Sequence, residues 1–350
     1  MNDDNQQRQV DVDALVRDLL AGERAALARA ITLIESAAPQ HKETARALLG
    51  QLTPHSGQSV RIGVTGVPGA GKSTFIDSFG CMLTGRGKRV AVLPIDPSSH
   101  LSGGSILGDK TRMERLAREE RAFIRPSPSR GVLGGVAGRT REAILLCEAA
   151  GYDVILIETV GAGQSEAALR GMVDFFMLLL ITGAGDDLQG IKRGVIEIAD
   201  ALVINKADGD NLAAARATRA QFSQSLRHVT PATNGWRTRV FTASGLSGAG
   251  IDEIWGAIGE FVAQTKASGV FAGRRAAQQR DWLHEELRAQ LRERLYGNAA
   301  VQAALPAIEA AVIEGELPPA TAAEQLLRLL LANATPEDSP QRHRGHRGKS

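Results

Sequence analysis

Cysteine is nearly absent: the 350 residues hold two, Cys81 and Cys147. They lie far apart in apolar, helical settings, which argues against a disulfide framework and for a reducing compartment. Aromatic residues are scarce at 4%, so a platform on which bases stack is not expected. Charge of one sign is lacking too. The formal net charge is +2 with 23% charged residues, which is not the surface of a nucleic-acid-binding protein. The longest apolar run, 175–181, is too short to span a bilayer. Met1-Asn2-Asp3-Asp4-Asn5 has neither a basic n-region nor an apolar h-region, so no signal peptide is expected and the reading is a cytoplasmic protein. No repeat of 20–50 residues appears, which leaves out solenoids and propellers.

What is present is a phosphate-binding pattern. Gly66-Val67-Pro68-Gly69-Ala70-Gly71-Lys72-Ser73-Thr74 matches G-x-x-x-x-G-K-[ST]. An apolar strand, Val60 to Thr65, precedes it, and a helical stretch from Ser73 to about Thr84 follows. In that context the glycines let backbone N–H groups wrap a polyphosphate, and the helix start adds partial positive charge. Lys72 reaches the β- and γ-phosphates in such a loop, and the Ser73 hydroxyl ligates Mg²⁺.

The rest of the chain supplies further polar strand ends. Residues 10–52 read as helices, either wrapping the main domain or offering a docking face. Strands are expected at Val60–Thr65, Arg89–Ile95, Ala122–Arg125, Val154–Ile157, Phe175–Ile181, Ala201–Ile204 and Val240–Thr242. Most are continuous apolar runs, as strands buried on both faces of a mostly parallel sheet require. Helices separate them, so the fold class is a doubly wound α/β domain, with ligands at the carboxyl ends of the strands.

Asp96, at one such end, can face the phosphates through Mg²⁺, orient a nucleophile, or simply start an Asp-Pro turn. The polar, glycine-rich stretch from Ser102 to Thr111 reads as a mobile switch candidate. In it Asp109 caps a helix or approaches the metal. Glu158-Thr159-Val160-Gly161 stands where GTPases place D-x-x-G, with an acid one methylene longer. Ala162 occupies the usual position of the water-orienting glutamine. Gln164, two residues on, either approaches the water or caps a helix. Asp186, Asp187, Gln189 and Lys192 lie on another strand end, which by itself reads as a solvated loop.

Asn205-Lys206-Ala207-Asp208 is N-K-x-D at a strand end. The Asp208 carboxylate can accept from guanine N1–H and the 2-amino group, a donor pair adenine lacks. Ser244-Gly245-Leu246 stands where GTPases carry S-A-L or S-A-K, with a backbone N–H on guanine O6. Gly245 keeps that N–H and suggests a looser loop. Towards the C-terminus, Leu283, Leu287, Leu291 and Leu295 recur every four residues on an amphipathic helix over 274–296. Helices over 299–314 and 319–333 follow. Such a stripe needs a partner. The basic tail, with His343 and His346, reads as disordered.

These motifs together resemble the methylmalonyl-CoA mutase-associated GTPases of the MeaB/ArgK type, from about Asp11 to Ala332. The resemblance rests on the phosphate loop, Ile95-Asp96-Pro97-Ser98-Ser99, Gly108-Asp109-Lys110-Thr111, Glu158 to Glu166, and Asp187 to Lys192. It implies a GTPase that gates adenosylcobalamin delivery to its mutase and protects that enzyme, the cobalamin belonging to the partner. It implies GTP/GDP and Mg²⁺ as cofactors, with Ser73, Asp96, Asp109 and Glu158 around the metal. Asn205, Lys206, Asp208 and Ser244 to Leu246 match the guanine site. Asp186, Asp187, Gln189 and Lys192 match an extra switch loop, with Lys72, Glu158, Gln164 and Lys192 as candidates for catalysis. The division expected is a helical extension over 1–55, a GTPase domain over 56–268, a helical homodimerisation arm over 269–334 and a tail over 335–350. Two other readings share parts of this pattern. A nickel-delivery GTPase needs a cysteine- and histidine-based metal site. A kinase would pass phosphate to an acceptor other than water.

Overall fold

Alternate residues of most strands feed two separate cores. Ala91, Leu93, Ile155, Ile157, Phe176, Leu178 and Leu180 enter one. Val90, Val92, Val154, Leu156, Phe175, Met177 and Leu179 enter the other. Side chains of a strand alternate between faces, so runs that are apolar at every position bury both. The computed structural model that shows this describes residues 10–36, 38–96, 112–125, 127–128, 133–159, 165–183 and 193–332.

Among the described residues eight strands make one sheet: β1 Val60–Gly66, β2 Val90–Asp96, β3 Ala122–Ile124, β4 Ser127–Pro128, β5 Val154–Thr159, β6 Phe175–Leu180, β7 Ala201–Ile204 and β8 Arg239–Thr242. Their order is β3-β2-β5-β1-β6-β7-β8, with β4 beside β2. Every pairing is parallel. β1 is therefore central, between β5 and β6, and its carboxyl end opens where the strand order reverses.

The helices are α1 Val12–Leu20, α2 Arg24–Glu35, α3 Pro39–Leu52, α4 Lys72–Gly85, α5 Glu114–Arg118, α6 Leu133–Ala149, α7 Ser165–Arg170, α8 Arg193–Glu197, α9 Leu212–Ser225, α10 Ile251–Ala267, α11 Val270–Gly297, α12 Ala299–Ile313 and α13 Pro319–Ala332. The first three wrap the domain. Leu19, Leu27, Ile31, Leu48 and Leu52 are fully buried in the core that also holds Ile155 and Ile157. Burying a side chain of this size contributes about 1.5–3 kcal/mol. On the opposite face α4 and α10 bring Phe75, Phe79, Ile258 and Phe261. Among the described residues no helix is long and apolar enough to cross a membrane.

The amino ends of the strands are closed by buried ion pairs. Arg61 donates from Nε and Nη2 to Glu148 at 2.8 and 2.9 Å. Arg275, on α11, donates to both oxygens of Asp174 at 2.8 and 2.7 Å. Arg170 donates to Asp200 at 2.6 Å. Asp174 and Asp200 also accept from the backbone N–H of Arg61 and Phe176, so their remaining lone pairs are used. This floor fastens the strands at the end away from the nucleotide loops.

The chain divides into two compact units, residues 1–282 and 283–350. In the second, α12 and α13 pack on each other and bury Val301 and Ala322. Leu283, Leu287, Leu291, Ile313 and Leu331 are exposed.

Candidate nucleotide site

The loop between β1 and α4 begins where the central strand leaves the sheet. Gly71 caps α4 at φ +79°, and a Cβ there would stand 2.9 Å from Asn205 Nδ2. Only glycine meets both demands. No side chain caps this helix start, so its first N–H groups are placed for an anion. Lys72 is buried, and its Nζ donates to Gly66 O at 2.9 Å and to Val67 O at 3.2 Å. Burial pulls the ammonium below the ordinary lysine range. The carboxylates of Glu158 and, more weakly, Glu166 pull the other way.

Glu158 comes to the loop because β5 runs parallel beside β1, with Glu158 level with Val64. Ser73 Oγ donates to Glu158 Oε1 at 3.2 Å. A hydroxyl and a carboxylate oxygen thus converge beside the loop, which is the hard-oxygen donor set Mg²⁺ takes. The backbone places Asp96 at the end of β2, next to β5; its side chain lies outside the described set. Asp109, Gln164, Asp186, Asp187, Gln189 and Lys192 also lie outside the described residues.

The loops at Asn205–Asp208 and Ser244–Leu246 are tied to the loop before α4 through Asn205. Its Nδ2 donates to Ala70 O at 2.7 Å, and its Oδ1 accepts from Gly245 N at 3.1 Å. Lys206 follows at φ +60°; among the described residues it is the one non-glycine residue with positive φ. Strain of this kind is kept where surrounding contacts over-determine the backbone. Asn211 supplies one such contact, donating to Lys206 O at 2.7 Å and accepting from Thr182 Oγ1 at 2.7 Å. Ser244 Oγ donates to Asp208 Oδ2 and accepts from Ser247 N at 3.0 Å, which fixes the rotamer of the carboxylate. Leu246, the next residue after Gly245, is 79% exposed.

Gly245 differs from the loose hinge expected of it. A Cβ there would stand 2.8 Å from Phe75 N and 3.1 Å from Thr74 C. The glycine lets the loop press against the first turn of α4. Ser78, Arg115, Thr182 and Asn211 stand outside the loop patterns, and only the folded contacts reveal them. Glu166 closes the Glu158 to Glu166 motif and is buried, with no role that the pattern itself assigns.

The two cysteines are free; Cys147 is buried, and burial pushes its thiol far up. Among the described residues no group of three His, Cys, Asp or Glu side chains is placed to hold a metal.

The family model described as methylmalonyl Co-A mutase-associated GTPase MeaB matches residues 27–300. The chain belongs to the MeaB family of GTPases. A Caulobacter vibrioides relative is 55% identical over 91% of this chain and 97% of its own length. The mouse protein named methylmalonic aciduria type A homolog, mitochondrial, is 46% identical, covering 91% of this chain and 79% of the mouse protein. A crystal structure described as an LAO/AO transport system kinase is 41% identical, with a TM-score of 0.72 over 91% of this chain and 97% of that one. As a MeaB-family GTPase the protein binds GTP and hydrolyses it to GDP and phosphate.

Proposed function

We propose that this GTPase gates delivery of adenosylcobalamin to a methylmalonyl-CoA mutase, or a related acyl-CoA mutase, and protects that enzyme. The observation that carries the reading is the match of residues 27–300 to the mutase-associated family. The cobalamin chemistry is the partner's. This chain contributes a nucleotide-dependent surface.

Hydrolysis here is mostly positioning and charge stabilisation. Lys72 and the N–H groups at the start of α4 offset charge on the β- and γ-phosphates. Asp208, with the backbone of Ser244 to Leu246, reads the guanine. Mg²⁺, when bound, would supply charge neutralisation at the phosphates; Ser73 and Glu158 would hold it, joined in this reading by Asp96 and Asp109. Ala162 stands where many GTPases have a glutamine, so intrinsic turnover is slow and Gln164 or Lys192 completes the site when a partner docks. Asp186, Asp187, Gln189 and Lys192 form the switch that carries the nucleotide state outward. The two free cysteines support a reducing cytoplasm as the place of action.

Co-purification tests the function. The full chain loaded with a non-hydrolysable GTP analogue, or with GDP, is expected to retain an acyl-CoA mutase from extract to different extents. Equal retention in both states, or none in either, contradicts gating. Lys192→Ala should keep basal turnover and lose the stimulation that mutase adds; unchanged stimulation would remove Lys192 from the switch.

The exposed Leu283, Leu287 and Leu291 on α11 support a homodimer through the C-terminal helices. Truncation after Trp282 is then expected to give a monomer by light scattering, where the full chain gives a dimer. A truncated chain that still runs at twice its mass places the interface elsewhere.

A further inference from the structure

Gly245 is held from three sides. Its N–H donates to Asn205 Oδ1 at 3.1 Å. Its backbone leaves no room for a Cβ against Phe75 N. Its carbonyl accepts from Ser78 Oγ. Ser78 lies on the buried side of α4, 7% exposed. Its hydroxyl in turn accepts from Arg115 Nη2. Arg115 Nε donates to Asp77 Oδ2 at 2.7 Å, and Asp77 Oδ1 accepts from Leu116 N at 2.9 Å. One chain of hydrogen bonds therefore runs from α5 through α4 to the base loop, and on through Asn205 to Ala70 of the phosphate loop.

The parts of this chain are unequal. Asp77 is 6% exposed, so its charge needs the two donors it has. The Arg115 side chain is 59% exposed and still spends two of its donors on adjacent α4 residues. A hydroxyl that accepts from a guanidinium is a better donor in its own right. Ser78 is thereby set to hold one specific carbonyl, that of the residue whose neighbouring N–H groups face guanine O6 in the reading above.

We infer that Ser78, polarised by Arg115, is a positioning residue for guanine recognition: it fixes the Gly245–Leu246 backbone and so sets how long nucleotide stays bound. The inference rests on Ser244 to Leu246 being the O6-reading loop. Loss of Ser78 Oγ leaves Asn205 and Asp208 in place and frees one side of the loop. The consequence falls on release of the base rather than on phosphate chemistry.

Stopped-flow release of GDP and of 6-thio-GDP from the full chain tests this. The thio analogue keeps the N1–H and the 2-amino group and replaces O6 by a weak sulfur acceptor. Ser78→Ala should speed GDP release roughly fivefold to tenfold, the worth of one hydrogen bond. Release of 6-thio-GDP should change by less than about twofold, because the contact that Ser78 supports is already weak there. Arg115→Gln should speed GDP release in the same direction. The double variant should be no faster than Ser78→Ala, since Arg115 acts through Ser78. GDP release unchanged by Ser78→Ala, in a protein that still prefers GDP to ADP, overturns the inference. So does equal acceleration of both nucleotides, which is general loosening. A wild type without preference for GDP over ADP fails one step earlier, at the base-loop reading.

Discussion

Lys72→Ala is expected to cut GTP hydrolysis by about 10²–10³-fold, the usual cost of removing one preorganised group that stabilises developing charge. The ammonium is held by the loop's own backbone. The carbonyls of Gly66 and Val67 hold Nζ at 2.9 and 3.2 Å. Burial alone would favour the neutral amine, and the carboxylates of Glu158 and Glu166 work against that. A charge kept in a half-dry site interacts more strongly than the same charge in water. Alanine removes the charge and also leaves those carboxylates without it, so a fall in thermal stability should accompany the loss of rate. Single-turnover assays at saturating GTP separate the two effects. Hydrolysis within about threefold of wild type would mean that Lys72 does not stabilise the transferring phosphate.

Asp208→Asn should exchange guanine for xanthine. The carboxylate is fixed by Ser244 Oγ on Oδ2, and its loop is held by Asn205, Asn211 and the strained Lys206. An amide in that position turns an acceptor into a donor that meets the 2-amino group of guanine. Two charge-assisted hydrogen bonds at about 1.5–3 kcal/mol each correspond to a loss of roughly 10²–10⁴ in GTP affinity. Xanthine carries an oxygen where guanine has the 2-amino group, so its nucleotides should bind the variant better than GTP does. Titration with fluorescent GDP and XDP measures both. A variant that keeps GTP within about tenfold of wild type would show that the base is read elsewhere.

Much of this was legible in the chain because it depends on short-range patterns. The strands announce themselves as apolar runs, and the observed β1, β5, β6 and β7 start at the expected residues. The patterns at Gly66–Thr74 and Asn205–Asp208 are readable because each is contiguous and sits at a strand end. Helices over 299–313 and 319–332 end within a residue of expectation. The long-range polar contacts are another matter. Arg61 meets Glu148, Asp174 meets Arg275, and Arg170 meets Asp200 across 87, 101 and 30 positions. No periodicity marks a buried charge as paired, so sequence reading leaves such residues on the surface. Ser78 is the same case: it is one of four hydroxyl residues on α4, and no pattern sets it apart until the chain folds Gly245 against it. β4, two residues long, carries no signal of its own. Gly245 read as freedom in the sequence and proves to be closeness in the fold.

The nucleotide in this site is expected to control a mutase partner. The most direct measurement gives Asp208→Asn protein and the co-purified mutase either GTP or XTP and follows partner-stimulated turnover and cofactor release. With wild type the mutase should respond to GTP. With the variant the same response should follow XTP, at concentrations where GTP is silent. A mutase that responds equally to both forms of the protein and to either nucleotide, or that continues to follow GTP with the variant, would contradict the claim.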